Sequence, residues 1–116
     1  MSHLATPEFK KLFENYPFYS QEGNKDPVVV VKLFDAYGSA TWYLTEYSEV
    51  ENNAFGYVTG LTHDEWGYVS LTELESLMLA PQVSRIERDM YFESVRFSEL
   101  KLKRRVKKKT KETWSF

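Results

Sequence analysis

Three short blocks in the middle of the chain set large and small residues in alternation: Thr41-Trp42-Tyr43-Leu44-Thr45-Glu46-Tyr47, Phe55-Gly56-Tyr57-Val58-Thr59-Gly60 and Glu65-Trp66-Gly67-Tyr68-Val69-Ser70. Aromatic and β-branched residues at that period fit a pleated, half-buried surface, because successive strand side chains point to opposite faces. The blocks therefore predict a small antiparallel sheet with strands over Thr41–Tyr47, Phe55–Leu61 and a short Trp66–Val69. Val28–Phe34 adds another strand, and its four consecutive valines imply burial on both faces. Gly56, Gly60 and Gly67 fall at strand positions or ends, where close backbone approach or a bulge is expected, so they read as structural glycines and not as a phosphate loop.

Helical signals flank the sheet. Thr6-Pro7-Glu8 is a helix start, since Thr can cap free amides, Pro suits the first turn and Glu complements the positive dipole end. Phe9, Leu12, Phe13 and Tyr16 would then share one face until Pro17. Ser70-Leu71-Thr72-Glu73 matches a capping box. It opens a second helix whose buried face would carry Leu71, Leu74, Leu77 and Met78, closed by Pro81. Ile86–Phe92 reads as a late extended segment. The expected fold class is α+β: a three- to four-stranded, mainly antiparallel sheet packed with two short helices, forming a single domain over 1–97. Residues 98–116 are expected to be a basic C-terminal tail or helix.

At 116 residues one core must serve the whole chain. The absence of Cys excludes a disulfide scaffold and a thiolate zinc site. The longest apolar run, Val28–Val31, is far too short to cross a bilayer, and Met1-Ser2-His3-Leu4 does not open a secretion signal. A cytoplasmic protein without membrane attachment is the expectation. Charge is unevenly placed. The net formal charge is -2, yet Lys101, Lys103, Arg104, Arg105, Lys107, Lys108, Lys109 and Lys111 face only Glu112, so residues 101–116 carry +7 and residues 1–100 carry -9. A basic run on an acidic body suits an arm for an anionic partner, or a tail folded back on its own domain.

Five blocks in order carry a family resemblance: Lys32-Leu33-Phe34, the three aromatic blocks with Leu71, Glu73 and Leu74 following the third, and Ile86-Glu87-Arg88-Asp89-Met90-Tyr91-Phe92. Together they resemble a bacterial domain-of-unknown-function family, number 2958, over roughly Phe18 to Phe92. The resemblance implies small proteins carried on plasmids, integrative elements and phages, and implies no chemistry. Trp66 between Glu65 and Gly67 and the basic end after Leu100 depart from the family pattern.

Glu46 is the first candidate for chemistry, because unbroken alternation sets it on the side of Trp42 and Leu44. Burial would raise its pKa and suit it to acid–base work, whereas a nearby arginine would keep it ionised and structural. Arg88, on the same face of an extended Ile86–Phe92 as Ile86, Met90 and Phe92, is the expected partner in a structural ion pair. Glu87 and Asp89 fall on the opposite face of that segment. With Glu65, Asp64 and His63 they would make the acidic constellation of a metal-dependent nuclease, although Arg88 points away from it. The catalytic candidates are thus Glu46, Glu65, Glu87 and Asp89, set against the reading that they are solvated or paired. No metal site and no cofactor are expected, because His3 and His63 are the only histidines and lack ligand spacing.

Tyr43, Tyr47, Tyr57 and Tyr68 would form either covered core or a stacking platform. The run Lys101, Lys103, Arg104, Arg105, Lys107, Lys108, Lys109 and Lys111 is the candidate nucleic-acid-binding segment. The favoured expectation is a non-catalytic macromolecule-binding protein of a phage or other mobile element, with a host protein as partner and counter-defence inhibition of a host nuclease as its concrete form. The alternative is a nucleic-acid-binding protein or metal-dependent nuclease using the basic tail. An exposed aromatic face could also close a homodimer.

Overall fold

The computed structural model describes residues 3–102. The basic residues from Lys103 to Lys111 therefore lie outside the described residues, and of the run only Lys101 lies within them. Helix α1 (Pro7–Leu12) starts where expected, with the Thr6 hydroxyl accepting the Phe9 amide at 3.2 Å. The helix ends before Pro17: Phe13 is already its cap, and Leu12 turns outward while Phe9 and Phe13 are buried.

Nine strands follow in chain order: β1 (Val28–Val29), β2 (Val31–Asp35), β3 (Thr41–Ser48), β4 (Asn53–Thr59), β5 (Glu65–Ser70), then after helix α2 (Leu71–Ser76) β6 (Met78–Ala80), β7 (Val83–Ser84), β8 (Ile86–Arg88) and β9 (Val95–Arg96). The main sheet has five antiparallel strands in the order β5-β4-β3-β2-β8, one more than the sequence predicts. The extra strand is β8, which pairs Leu33 with Arg88 and Asp35 with Ile86. The extended segment stops at Arg88, short of Phe92, because Asp89 accepts the Tyr91 amide and turns the chain. Val28–Val29 leaves the main sheet to pair with Val95–Arg96. The valine run is buried as its composition implies, with Val29, Val30 and Val31 all inside.

Helix α2 is capped as the Ser70–Glu73 spacing predicts, the Ser70 hydroxyl accepting the Glu73 amide at 3.1 Å. Leu71 and Leu74 are buried, but Leu77 and Met78 are not helical. Leu77 adopts extended backbone, and Met78–Ala80 turns through Pro81-Gln82 into a hairpin with Val83–Ser84. Gln82 has φ 63°, the backbone expected after a Pro in a type II turn. The hairpin leaves Leu77, Met78, Leu79 and Val83 exposed.

Both helices cover one face of the main sheet. Leu33, Leu44, Ala54, Leu71 and Ile86 are fully buried there, and the Tyr47 ring takes Phe9 edge-on at 5.0 Å and lies 5.7 Å from the Phe13 ring. Gly56 is required on this face: a Cβ there would stand 2.2 Å from the Tyr43 carbonyl oxygen. Gly60, at φ +85°, turns the chain against Ser39. A Cβ at Gly67 would meet open space, so its need for glycine is not steric.

Candidate functional site

The decisive local event is a bulge in β3. Leu44 pairs with Gly56 and Glu46 with Phe55, so Thr45 is an extra residue on one strand. Before it Trp42 and Leu44 face the helices; after it Tyr47, opposite Ala54, takes over that face. Glu46 therefore turns to the face opposite the one predicted from unbroken alternation, joining Tyr43, Tyr57 and Phe55. A one-residue slip exchanges every later side chain between faces.

On this second face the 17–27 loop folds over β3 and is fixed by two side chains. The Glu46 carboxylate accepts the amides of Tyr19 and Gln21, both at 2.9 Å, and is buried beneath them. Tyr19 is held at φ 72°, a left-handed conformation that aims its amide at the carboxylate and leaves its ring exposed. The Gln21 side chain acts as a surrogate strand: its oxygen accepts the Val28 amide at 2.7 Å, and its nitrogen donates to the carbonyls of Val28 and Thr45 at 2.8 and 2.9 Å. Arg88 is not the partner of Glu46. It lies on the helix-covered face, donating to Glu8 at the start of α1 at 2.7 Å. The expected Glu46–Arg88 pair is thus replaced by backbone amides on one side and a helix-end carboxylate on the other.

Seven rings run across this face in contact: Tyr19 on Phe18, Phe18 on Tyr68, Tyr68 on Phe55, Phe55 stacked on Trp66, and Trp66 with Tyr57 and Phe97, at centroid distances between 4.8 and 5.9 Å. Tyr43 is buried beside them, with the Lys32 ammonium 5.9 Å from its ring. Among the described residues no α-helix covers the row, and Trp66 is 39% exposed, Tyr68 59% and Tyr19 64%. Of the four tyrosines predicted as core or platform, Tyr47 is core and Tyr43 is buried, while Tyr57 and Tyr68 belong to the row. Tyr47 secures its hydroxyl on Asn52 at 2.6 Å.

Two hollows flank Trp66. The first, about 350 Å³, lies under the loop and is walled by Tyr19, Phe55, Trp66 and Tyr68 around Thr45 and Glu46, with Glu22 and Lys25 also lining it. The Tyr68 phenol is pushed above its usual range by desolvation first, then by the Tyr19 phenol and the Glu46 charge. The second, about 600 Å³, is bounded by Tyr57, Trp66, Phe97, Lys25 and Lys101 and reaches Leu102. Asp26 ties its far wall down, accepting the amide of Ser98 at 2.8 Å and its hydroxyl at 2.7 Å, which lowers the Asp26 pKa. The Phe97–Leu100 turn thereby belongs to the body, and the 97/98 boundary drawn from sequence passes through it.

The acidic candidates do not converge. Glu65 stands on β5 and Glu87 on β8, opposite edges of a five-stranded sheet, which puts roughly 19 Å between them at the usual strand spacing. Glu87 accepts the Ser84 hydroxyl, and Asp89 faces the Lys32 ammonium at 3.7 Å. Asp64 and His63 sit by β5, where Asp64 accepts the Gly60 amide at 3.2 Å. Among the described residues no three His, Cys, Asp or Glu side chains gather as a metal site would require. Sequence reasoning missed Tyr19, Gln21 and Phe55 as site residues and took Trp66 only as a departure. The available signal was Gly56 opposite Leu44, which marks a bulge and hence a change of face.

Among the described residues no helix is long and apolar enough to cross a membrane. A family model described as "Protein of unknown function (DUF2958)" matches residues 4–104. No curated protein and no solved structure matches the chain.

Proposed function

The chain belongs to the DUF2958 family of unknown function, and we propose that it is a non-catalytic binding protein whose open aromatic sheet face docks a protein partner. The observation that carries this reading is the contiguous row from Tyr19 to Phe97, seven rings on a sheet face that no α-helix covers among the described residues. Aromatic residues at a partly desolvated surface concentrate binding energy, because they bury much area at small entropic cost. The -9 charge of residues 1–100 favours a basic partner. In the most specific version the protein belongs to a mobile element and its partner is a host nuclease held inactive, in the cytoplasm.

A photoreactive amino acid at position 68, with a control at Glu14, tests the face in lysate of the native host. Adducts from position 68 alone that survive nuclease digestion support the reading. Equal adducts from both positions, or loss of the adduct on digestion, count against it.

One observation favours a second reading. The hollow bounded by Tyr57, Trp66 and Phe97 also presents Lys25 and Lys101, and the basic run continues from there in sequence. Stacking rings beside ammonium groups suit single-stranded nucleic acid. Steeply salt-dependent binding of an oligonucleotide, lost on truncation after Leu102, would favour that alternative.

A further inference from the structure

We propose that the hollow under the 17–27 loop receives an arginine side chain of the partner protein, its guanidinium stacked on the Trp66 and Tyr68 rings and hydrogen-bonded to Glu46. The inference rests on the docking reading and names the chemistry at its centre.

Size, charge and geometry point the same way. The hollow, about 350 Å³, is of side-chain scale. Its walls are the rings of Tyr19, Phe55, Trp66 and Tyr68, and the negative quadrupole of an aromatic ring attracts cations. Its polar base is the Glu46 carboxylate, only 5% exposed. Each of its oxygens accepts one backbone amide, from Tyr19 and from Gln21, so each keeps a second lone pair. Two such oxygens, already oriented by the backbone, match the parallel N–H fork of a guanidinium.

The second carboxylate, Glu22, lines the same hollow and is exposed. Lys25 is the one cationic residue lining it among the described residues, where carboxylates thus outnumber ammonium groups two to one. That balance disfavours a phosphate, whose natural place is the neighbouring hollow with Lys25 and Lys101. Arginine fits better than lysine because a guanidinium stacks flat on aromatic rings and sheds water more easily than a compact ammonium.

The full chain, labelled with nitrogen-15, can be titrated with the tripeptide Gly-Arg-Gly, with its neutral citrulline counterpart and with a thymidine oligonucleotide. Gly-Arg-Gly should shift the Tyr19 and Gln21 amide signals and the Trp66 indole signal, with at least about tenfold weaker binding by the citrulline peptide. Tyr68→Ala should weaken Gly-Arg-Gly about tenfold, and Glu22→Gln severalfold with a reduced salt dependence. Both side chains are exposed, so these variants keep the fold.

Equal shifts from both tripeptides, or none from either, would overturn the arginine assignment while leaving the docking reading to the cross-linking experiment. Displacement of the tripeptide by the oligonucleotide from these same signals would assign the hollow to nucleic acid instead. Tighter tripeptide binding in a variant carrying Arg104→Ala and Arg105→Ala would assign it to the chain's own C-terminal segment.

Discussion

The two faces of the main sheet draw on the same strands and largely the same residue types, yet they end in different states. On one, Leu33, Leu44 and Ala54 are fully buried and Tyr47 is nearly so, because α1 and α2 bring Phe9, Phe13, Leu71 and Leu74 down on them. On the other, Tyr57, Trp66 and Tyr68 lie against one another under a loop and a short turn, and much of Trp66 and Tyr68 meets water. Ring content alone does not distinguish a core from an open face. What distinguishes them is whether the chain supplies an apolar helix to cover the rings. Among the described residues both α-helices, α1 and α2, are committed to the first face.

The contrast breaks most severely if the bulge is removed. Inserting one residue between Phe55 and Gly56 would give Thr45 a partner on β4, restore unbroken alternation in β3, carry Glu46 into the helix-covered core and expel Tyr47. The expected cost exceeds about 5 kcal/mol, enough to abolish the cooperative unfolding transition in urea followed by circular dichroism. Truncating the covered face is next: Phe9→Ala should lower the unfolding free energy by about 3–5 kcal/mol, because a fully buried ring leaves a cavity between helix and sheet.

Glu46→Leu should cost about 2 kcal/mol or more, since the Tyr19 and Gln21 amides lose their acceptor. Hydrogen exchange should locate the loss in the 17–27 loop. An unchanged exchange rate there would refute the role given to the carboxylate.

Acid sharpens the comparison further, because two carboxylates outside the covered core are held below their usual range. The Arg85 side chain, bonded through its Nε at 2.9 Å, lowers Asp35, and the Ser98 amide and hydroxyl lower Asp26. A lowered folded pKa means the unfolded chain binds the proton first. The contribution is therefore complete above about pH 4 and is lost as pH falls through the lowered folded values. Urea midpoints measured from pH 5 down to 2 should fall, and Asp35→Asn should flatten that slope.

The smallest stability effect belongs to the open face itself. Tyr68→Ala should change unfolding free energy by no more than about 0.5 kcal/mol while weakening tripeptide binding about tenfold. A large stability loss there would mean that the row is core after all.

Much of this fold was legible along the chain. Thr6 and Ser70 cap their helices through hydroxyl-to-amide bonds three residues away, the four valines are buried, and the aromatic blocks pair as neighbouring strands. These features depend on spacing within a few residues. The site was less legible. Gln21 bonds to Val28 and Thr45, Asp26 to Ser98, and Arg88 to Glu8, and such partners are chosen by how distant segments come together. Leu77 and Met78 were legible as apolar but not as a hairpin, since helix and strand share apolar residues when a run is short.

By itself, the sequence determined the residue supply: caps at the helix starts, β-branched and aromatic residues at strand period, glycines where backbones touch, and a division of charge between body and C-terminal end. Only the tertiary structure decided which side of the sheet each residue serves. A single extra residue at Thr45, absorbed as a bulge opposite Gly56, moved Glu46 from the core to the floor of an aromatic hollow. Strand periodicity is a local property, but the register that converts it into two faces is set by the partner strand.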